Sequence, residues 1–189
     1  MSRMRVESSA YLATALMSLA LGGCKRSDHP HVASFVRPPL PAGFAEQAGD
    51  GWRVVTPSTW HDPQRSEPGV WSSVDPQPVG DFRASVNVVT EPFPGESYAY
   101  AKASVEELRR DPRATVETAR EEVVDGDPTL IVQSRWSAIA PSTVPYRTMQ
   151  ANLASRGTGY VVTCSVSADA FERYRSTCEA IVHSFAVER

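Results

Sequence analysis

The residues able to do chemistry fall into a few sets. Cys24 follows Leu21, Gly22 and Gly23. Its thiol is a nucleophile open to acylation or oxidation. Cys164 and Cys178 can be oxidised to a disulfide, and no C-x-x-C spacing is present to depress a thiol pKa. Ser97, Asp125 and His183 stand in the chain order of a nucleophile, an orienting acid and a base. In that scheme His183 would take the Ser97 proton while Asp125 held the imidazole. The serine sits in Gly95-Glu96-Ser97-Tyr98-Ala99, where Ala99 replaces the second glycine of a nucleophile elbow. Ser97 also has a structural role open to it as the N-cap of a helix.

Metal chemistry has thin support. Asp125-Gly126-Asp127 could open a calcium loop, but no alternating oxygen ligands follow, so a turn is expected. His29 and His31 are two imidazoles without further ligands. Trp60-His61-Asp62 could present an imidazole to a ligand, although a loop after a short strand accounts for it equally. No catalytic set, metal or cofactor is expected.

The N-terminus supplies an address. Arg3 and Arg5 precede an apolar run from Ala10 to Leu21, which has the order of a signal peptide. The run falls short of the roughly 20 residues that span a bilayer. Leu21-Gly22-Gly23-Cys24 resembles the lipobox of bacterial lipoproteins. That resemblance implies residues 1–23 as signal peptide, cleavage between Gly23 and Cys24, and a diacylglyceryl group on Cys24. The alternative is an ordinary secretory signal with Cys24 incidental. Acyl chains contribute ~0.8 kcal/mol per buried methylene, so two or three hold a protein at a membrane. Lys25, by enteric-type sorting, favours the outer membrane where the host has one. A net charge of −3 argues against nucleic acid.

Residues 24–42, with Pro30, Pro38, Pro39 and Pro41 among polar residues, form the expected tether. Residues 43–189 suit one domain. Period-two patterning predicts strands over 52–56, 70–74, 82–90, 115–124, 129–137, 146–155 and 160–167. Asp125-Gly126 and Arg156-Gly157 mark two hairpins. The 3.6-residue pattern predicts a helix over 97–110, with Tyr98, Ala101, Val105 and Leu108 on one stripe. A second helix carries Phe171, Tyr174, Cys178, Ile181 and Phe185, with Asp169 and Glu172 as its capping box. Glu106, Glu107, Arg109 and Arg110 form a solvated face with local ion pairs.

These elements make an α+β domain with an antiparallel sheet of about six strands. One sheet face is apolar, with Tyr160, Val162, Cys164 and Val166. The other is rich in hydroxyls and amides, with Thr163, Ser165, Ser167, Thr148, Gln150 and Asn152. Cys164 and Cys178 both take core-facing phases. In an exported protein a disulfide between them is expected, the alternative being two buried free thiols.

The domain resembles the PsbP-like fold, in the style of DcrB-type and LpqN-type envelope lipoproteins. The resemblance rests on the opening strand into Pro57 and Trp60, and on 82–90 followed by Ser104-Val105-Glu106-Glu107-Leu108. It rests also on the Asp125-Gly126 hairpin and on Gly159 to Cys164 leading to Ile181 through Phe185. It implies helices on both sides of the sheet, which sits awkwardly with a polar second face. It also implies non-enzymatic roles: accessory subunits of a photosynthetic complex, a Ran-binding import factor, and envelope lipoproteins.

The function expected is a non-enzymatic module, anchored to the membrane by lipid, that binds another envelope protein. Its contact surfaces are the polar sheet face and the loop from Trp60 to Asp81. One alternative is a carrier of a small amphiphile beside Trp136 and Tyr160, in a pocket of ~300–1,000 Å³. A minor alternative is a serine hydrolase using Ser97. Trp52, Trp60, Trp71 and Trp136 are expected mainly in core and rim packing.

Overall fold

The computed structural model describes residues 40–61, 69–138 and 143–188. The expected Gly23–Cys24 cleavage point, the acylation of Cys24, Lys25, the two tether histidines, most of the tether and Asp62 lie outside these residues.

Six strands form the main antiparallel sheet: β3 (Val70–Val74), β4 (Ser85–Pro92), β5 (Ala114–Val124), β6 (Asp127–Trp136), β7 (Tyr146–Ser155) and β8 (Thr158–Ser167). Their order is β3-β4-β8-β7-β6-β5. Three further strands, β1 (Phe44–Gly49), β2 (Trp52–Pro57) and β9 (Ala186–Val187), make a small sheet in the order β1-β2-β9. The first predicted strand therefore belongs to a second sheet that was not anticipated. Helix α1 (Ser97–Arg110) packs on β5, β6 and β7, and α2 (Phe171–Ser184) packs on β2, β7 and β8.

Two turns set the register of the main sheet. Asp125 and Gly126 have φ of 52° and 82°, and Arg156 and Gly157 have 51° and 82°. Two consecutive positive φ angles match the right-handed twist of the strands they join. Pairing then runs from Val124↔Asp127 to Ala114↔Trp136, and from Ser155↔Thr158 to Tyr146↔Ser167. A bulge between Val116 and Thr118 breaks the ladder of the outer strand.

Alternation then delivers the core. Val86 and Val88 of β4, Val162, Cys164 and Val166 of β8, and Met149, Ala151 and Leu153 of β7 are all buried in one cluster. Phe171, Cys178, Ile181 and Val182 of α2 fill the space above them, with Val54 of β2 and Phe185. The Sγ atoms of Cys164 and Cys178 are joined, at a Cα–Cα distance of 5.5 Å. This bond ties the centre of the sheet to the helix that covers it.

The polar face divides into two parts, which reconciles it with a helix on each side. Under α1, the side chains of Ser134, Thr148, Gln150 and Asn152 are buried. They are satisfied largely by one another and by the helix: Ser134 Oγ and Thr148 Oγ1 lie 2.7 Å apart, and Gln150 Nε2 donates to Ser104 Oγ at 3.2 Å. Among the described residues neither helix lies over the half-buried Ser72, Ser85, Asn87, Thr163 and Ser165 on the same face of β3, β4 and β8; α1 reaches these strands at one end only, where Tyr100 donates to Glu91.

Several local expectations need correction. Phe82 precedes β4 and meets Val79 in an isolated bridge. Ser97 is not a cap: Glu96 holds that position without a side-chain cap bond, and Ser97 is the first helical residue. Asp169 does not cap α2 either. A 3-10 turn over Ala168–Ala170 comes first, so Ala170 is the N-cap and Glu172 closes no capping box. Glu172 instead receives Arg175 at 2.7 Å and Arg147 at 3.3 Å.

Candidate functional site

The seam between the two sheets opens into a cleft of about 590 Å³. Its wall begins at the β1–β2 turn, Gly49-Asp50-Gly51, and continues with Trp52. Gly69, Val70 and Trp71 enter β3 on the facing side, and Val88 and Thr90 of β4 lie behind them. The β7–β8 hairpin supplies Arg156, Thr158 and Tyr160, and Glu188 follows β9.

Glycine is required at the turn. Gly51 has φ of +76°, and a Cβ there would stand 2.5 Å from the Tyr160 hydroxyl. Backbone thus forms part of the wall. The indoles of Trp52 and Trp71 meet at 5.1 Å between centroids, tilted by 53°. Trp52 and Tyr160 are nearly buried, so the aromatic surface facing the cleft comes chiefly from Trp71. Threonine and tyrosine hydroxyls, two carboxylates and one guanidinium provide the polar contacts. Among the described residues the lining includes no serine, cysteine or histidine; its aromatic, hydroxyl and charged groups offer surfaces that could hold a ligand.

The serine–aspartate–histidine series is not assembled. Ser97 is buried, accepts the Ala154 N–H at 2.9 Å and donates towards Asp127 Oδ2 at 3.1 Å. Asp125 Oδ2 accepts the Val187 N–H at 3.1 Å. His183 places Nε2 2.7 Å from Glu122 Oε2 and Nδ1 2.8 Å from the Glu179 carbonyl. Each residue has a structural partner and none faces another of the set. The hydrolase alternative therefore lacks its geometry.

Trp136 and Tyr160 do not share a pocket. Trp136 lies opposite Tyr146 at one end of the sheet, whereas Tyr160 lies opposite Leu153 towards the other end and on the other face. The indole of Trp136 donates to Ser134 Oγ at 2.9 Å and stacks on Tyr146, centroids 5.8 Å apart. Phe82 also stacks on Tyr146, with centroids 5.5 Å apart. Burial raises the Tyr146 phenol pKa, with the Arg113 charge opposing and that of Asp111 assisting. Tyr100 is pushed up more strongly, first by burial and then by its hydrogen bond to Glu91 at 2.7 Å.

His61 meets Val74 through its backbone, in an isolated bridge with N–O distances of 2.9 and 3.1 Å. Trp52 and Trp60 are buried, while Trp71 and Trp136 are half-buried. Among the described residues no group of three or more metal-ligating side chains converges, and no helix is long and apolar enough to cross a membrane.

Sequence reasoning missed the cleft because it missed β1. The signal was present in Gly49-Asp50-Gly51, a turn motif immediately before a predicted strand. It also missed the Arg147 cluster, in which the guanidinium lies 4.3 Å from the Phe171 ring centroid and pairs with Glu117 at 2.5 Å. Those residues are far apart in the chain, so no local pattern joins them.

No family model matches the sequence, and no curated protein matches it. Solved structures do share the architecture. CyanoP, the cyanobacterial PsbP of Synechocystis, aligns over 89% of this chain and 99% of its own, at 17% identity and a TM-score of 0.51. LpqN, involved in cell envelope biogenesis of Mycobacterium tuberculosis, aligns over 77% and 92%, at 10% identity and 0.56. A Ran-binding protein of Saccharomyces cerevisiae aligns over 76% and 94%, at 15% identity and 0.52. At these identities the likeness concerns the fold, which is an α+β fold of the PsbP-like type.

Proposed function

We propose that this protein is a lipid-anchored lipoprotein of the cell envelope that serves as a non-enzymatic accessory module and binds another envelope protein. The Leu21-Gly22-Gly23-Cys24 motif supports the anchor. The disulfide suits an oxidising compartment. The structural neighbours include a protein of envelope biogenesis and a Ran-binding protein, both compatible with an accessory role. Anchoring raises the effective concentration of the domain near membrane partners.

The observation that carries the binding role is the uncovered part of the sheet. Ser72, Ser85, Thr163 and Ser165 place half-buried hydroxyls around Asn87 on adjacent strands, and among the described residues no helix lies above them. Ser72→Arg together with Thr163→Arg, which are not paired with each other, should abolish recovery of a partner after crosslinking in the native envelope, while circular dichroism shows the fold retained. Full recovery of the partner would remove this surface from consideration.

The cleft favours a second use, the carriage of a small amphiphile. It has the volume for one, with Tyr160 and Trp71 in its wall and Trp136 excluded from it. Titration with lysophosphatidylcholine below its micellar concentration should perturb indole fluorescence, and Thr90→Arg, at a half-buried position of the lining, should suppress the response. A flat titration rejects this use.

A further inference from the structure

The two helices are held in unlike ways. Phe171, Cys178, Ile181 and Val182 of α2 sit fully buried in the main core, and the disulfide fixes the helix to β8. No residue of α1 belongs to that core. Its own apolar contacts are a separate, small cluster of Ala101 and Val105 against Leu130 and Val132, with Tyr98, Leu108 and Val116 at the margin, and the buried ring of Tyr100, which meets Phe93 at 4.7 Å.

Elsewhere beneath α1 the sheet is polar. The helix is tied there by Ser97 to Ala154, Ser104 to Gln150, Tyr98 to Glu121 and Tyr100 to Glu91. Bonds of this kind exchange for water at small net cost, whereas apolar burial is what resists separation. Asn152 adds a term in favour of opening, because its Nδ2 is buried beneath the helix without a hydrogen-bond partner. Both ends of α1 join short proline-bearing segments, Phe93-Pro94-Gly95-Glu96 before it and Asp111-Pro112 after it.

We infer that α1 is a removable cover, which leaves the sheet as a unit while both sheets and α2 stay folded. Its departure bares Ser134, Thr148, Gln150 and Asn152, together with the apolar Leu130 and Val132 of β6. The polar residues among these join Ser85, Asn87, Thr163 and Ser165 in one hydroxyl- and amide-rich face running across β4, β8, β7 and β6. The use of that enlarged face rests on the partner-binding role proposed above, but the opening itself does not.

Hydrogen exchange followed by mass spectrometry on the purified full chain, with no partner present, tests the opening. Peptides from α1 should exchange at least ~10-fold faster than those from α2, β7 and β8. Val105→Ala should accelerate α1 a further ~10-fold and leave α2 and β8 unchanged. Leu108→Ala, at the edge of the same cluster, should act in the same direction more mildly. Val162→Ala, in the main core, should accelerate exchange in α2, β7 and β8 and leave α1, which exchanges through its own opening, unchanged. Equal protection of α1 and α2, or equal acceleration of both by Val105→Ala, would show one cooperative unit and overturn the inference. Because no partner enters the measurement, failure here is distinct from failure of the crosslinking test.

Discussion

Breaking the Cys164–Cys178 bond should cost this domain a measurable share of its stability. The two cysteines are 14 positions apart, and in the chain-entropy account a closed loop of that size stabilises by ~3 kcal/mol. Both are fully buried, so Cys164→Ala with Cys178→Ala also strips two sulfur atoms from close packing. That adds about 1 kcal/mol or somewhat more. The double variant should therefore lose about 4 kcal/mol. At roughly 2–4 °C per kcal/mol for a domain of this size, its Tm should fall by about 8–16 °C. Dithiothreitol on the unaltered protein isolates the loop contribution, with an expected fall of about 6–12 °C. Unfolding can be followed by the fluorescence of the buried Trp52 and Trp60. Oxidised and reduced samples that melt within about 2 °C of each other would refute the reasoning.

Ser97→Ala should destabilise by about 1–3 kcal/mol in urea, because it leaves the Ala154 N–H without its acceptor; a fluorophosphonate probe should leave Ser97 unlabelled. Gly51→Ala combines strain at φ of +76° with the Tyr160 hydroxyl 2.5 Å away and should cost about 2 kcal/mol, part of which Tyr160→Phe should restore. Hydrogen bonds from the Arg113 side chain, and then from its backbone N–H, hold the Asp111 carboxyl down to about 2, against an ordinary 3.8. A pKa lowered in the folded state stabilises above the unfolded value and loses that contribution as pH falls through the folded one. Acid titration should therefore show a stability loss between about pH 4 and pH 2 that Asp111→Asn lacks.

Local rules made much of the main sheet legible. Asp125-Gly126 and Arg156-Gly157 announced their hairpins because few residues adopt consecutive positive φ angles, and alternation along 146–167 then assigned every side chain to a face. The small sheet escaped for an equally physical reason. β1 reads Phe-Ala-Glu-Gln-Ala-Gly, without a β-branched residue, and β9 has only two residues, so both depend on tertiary pairing with β2. The caps failed because hydroxyl and carboxylate side chains serve several purposes. Ser97 turns inward to β7, and Asp169 falls within a 3-10 turn that periodicity does not foresee. The polar face was visible as a pattern, but which half α1 covers depends on how the helix packs across β5, β6 and β7. The cleft was hidden for the same reason, since it is made by two sheets meeting.

The most direct test of the account concerns Cys24. Cells expressing the full chain should incorporate radiolabelled palmitate into it and retain it in the membrane fraction. Cys24→Ser should be unlabelled and should leave that fraction. An unlabelled wild-type protein, or a Cys24→Ser variant that still carries label, would contradict the proposal of an acyl-tethered envelope module.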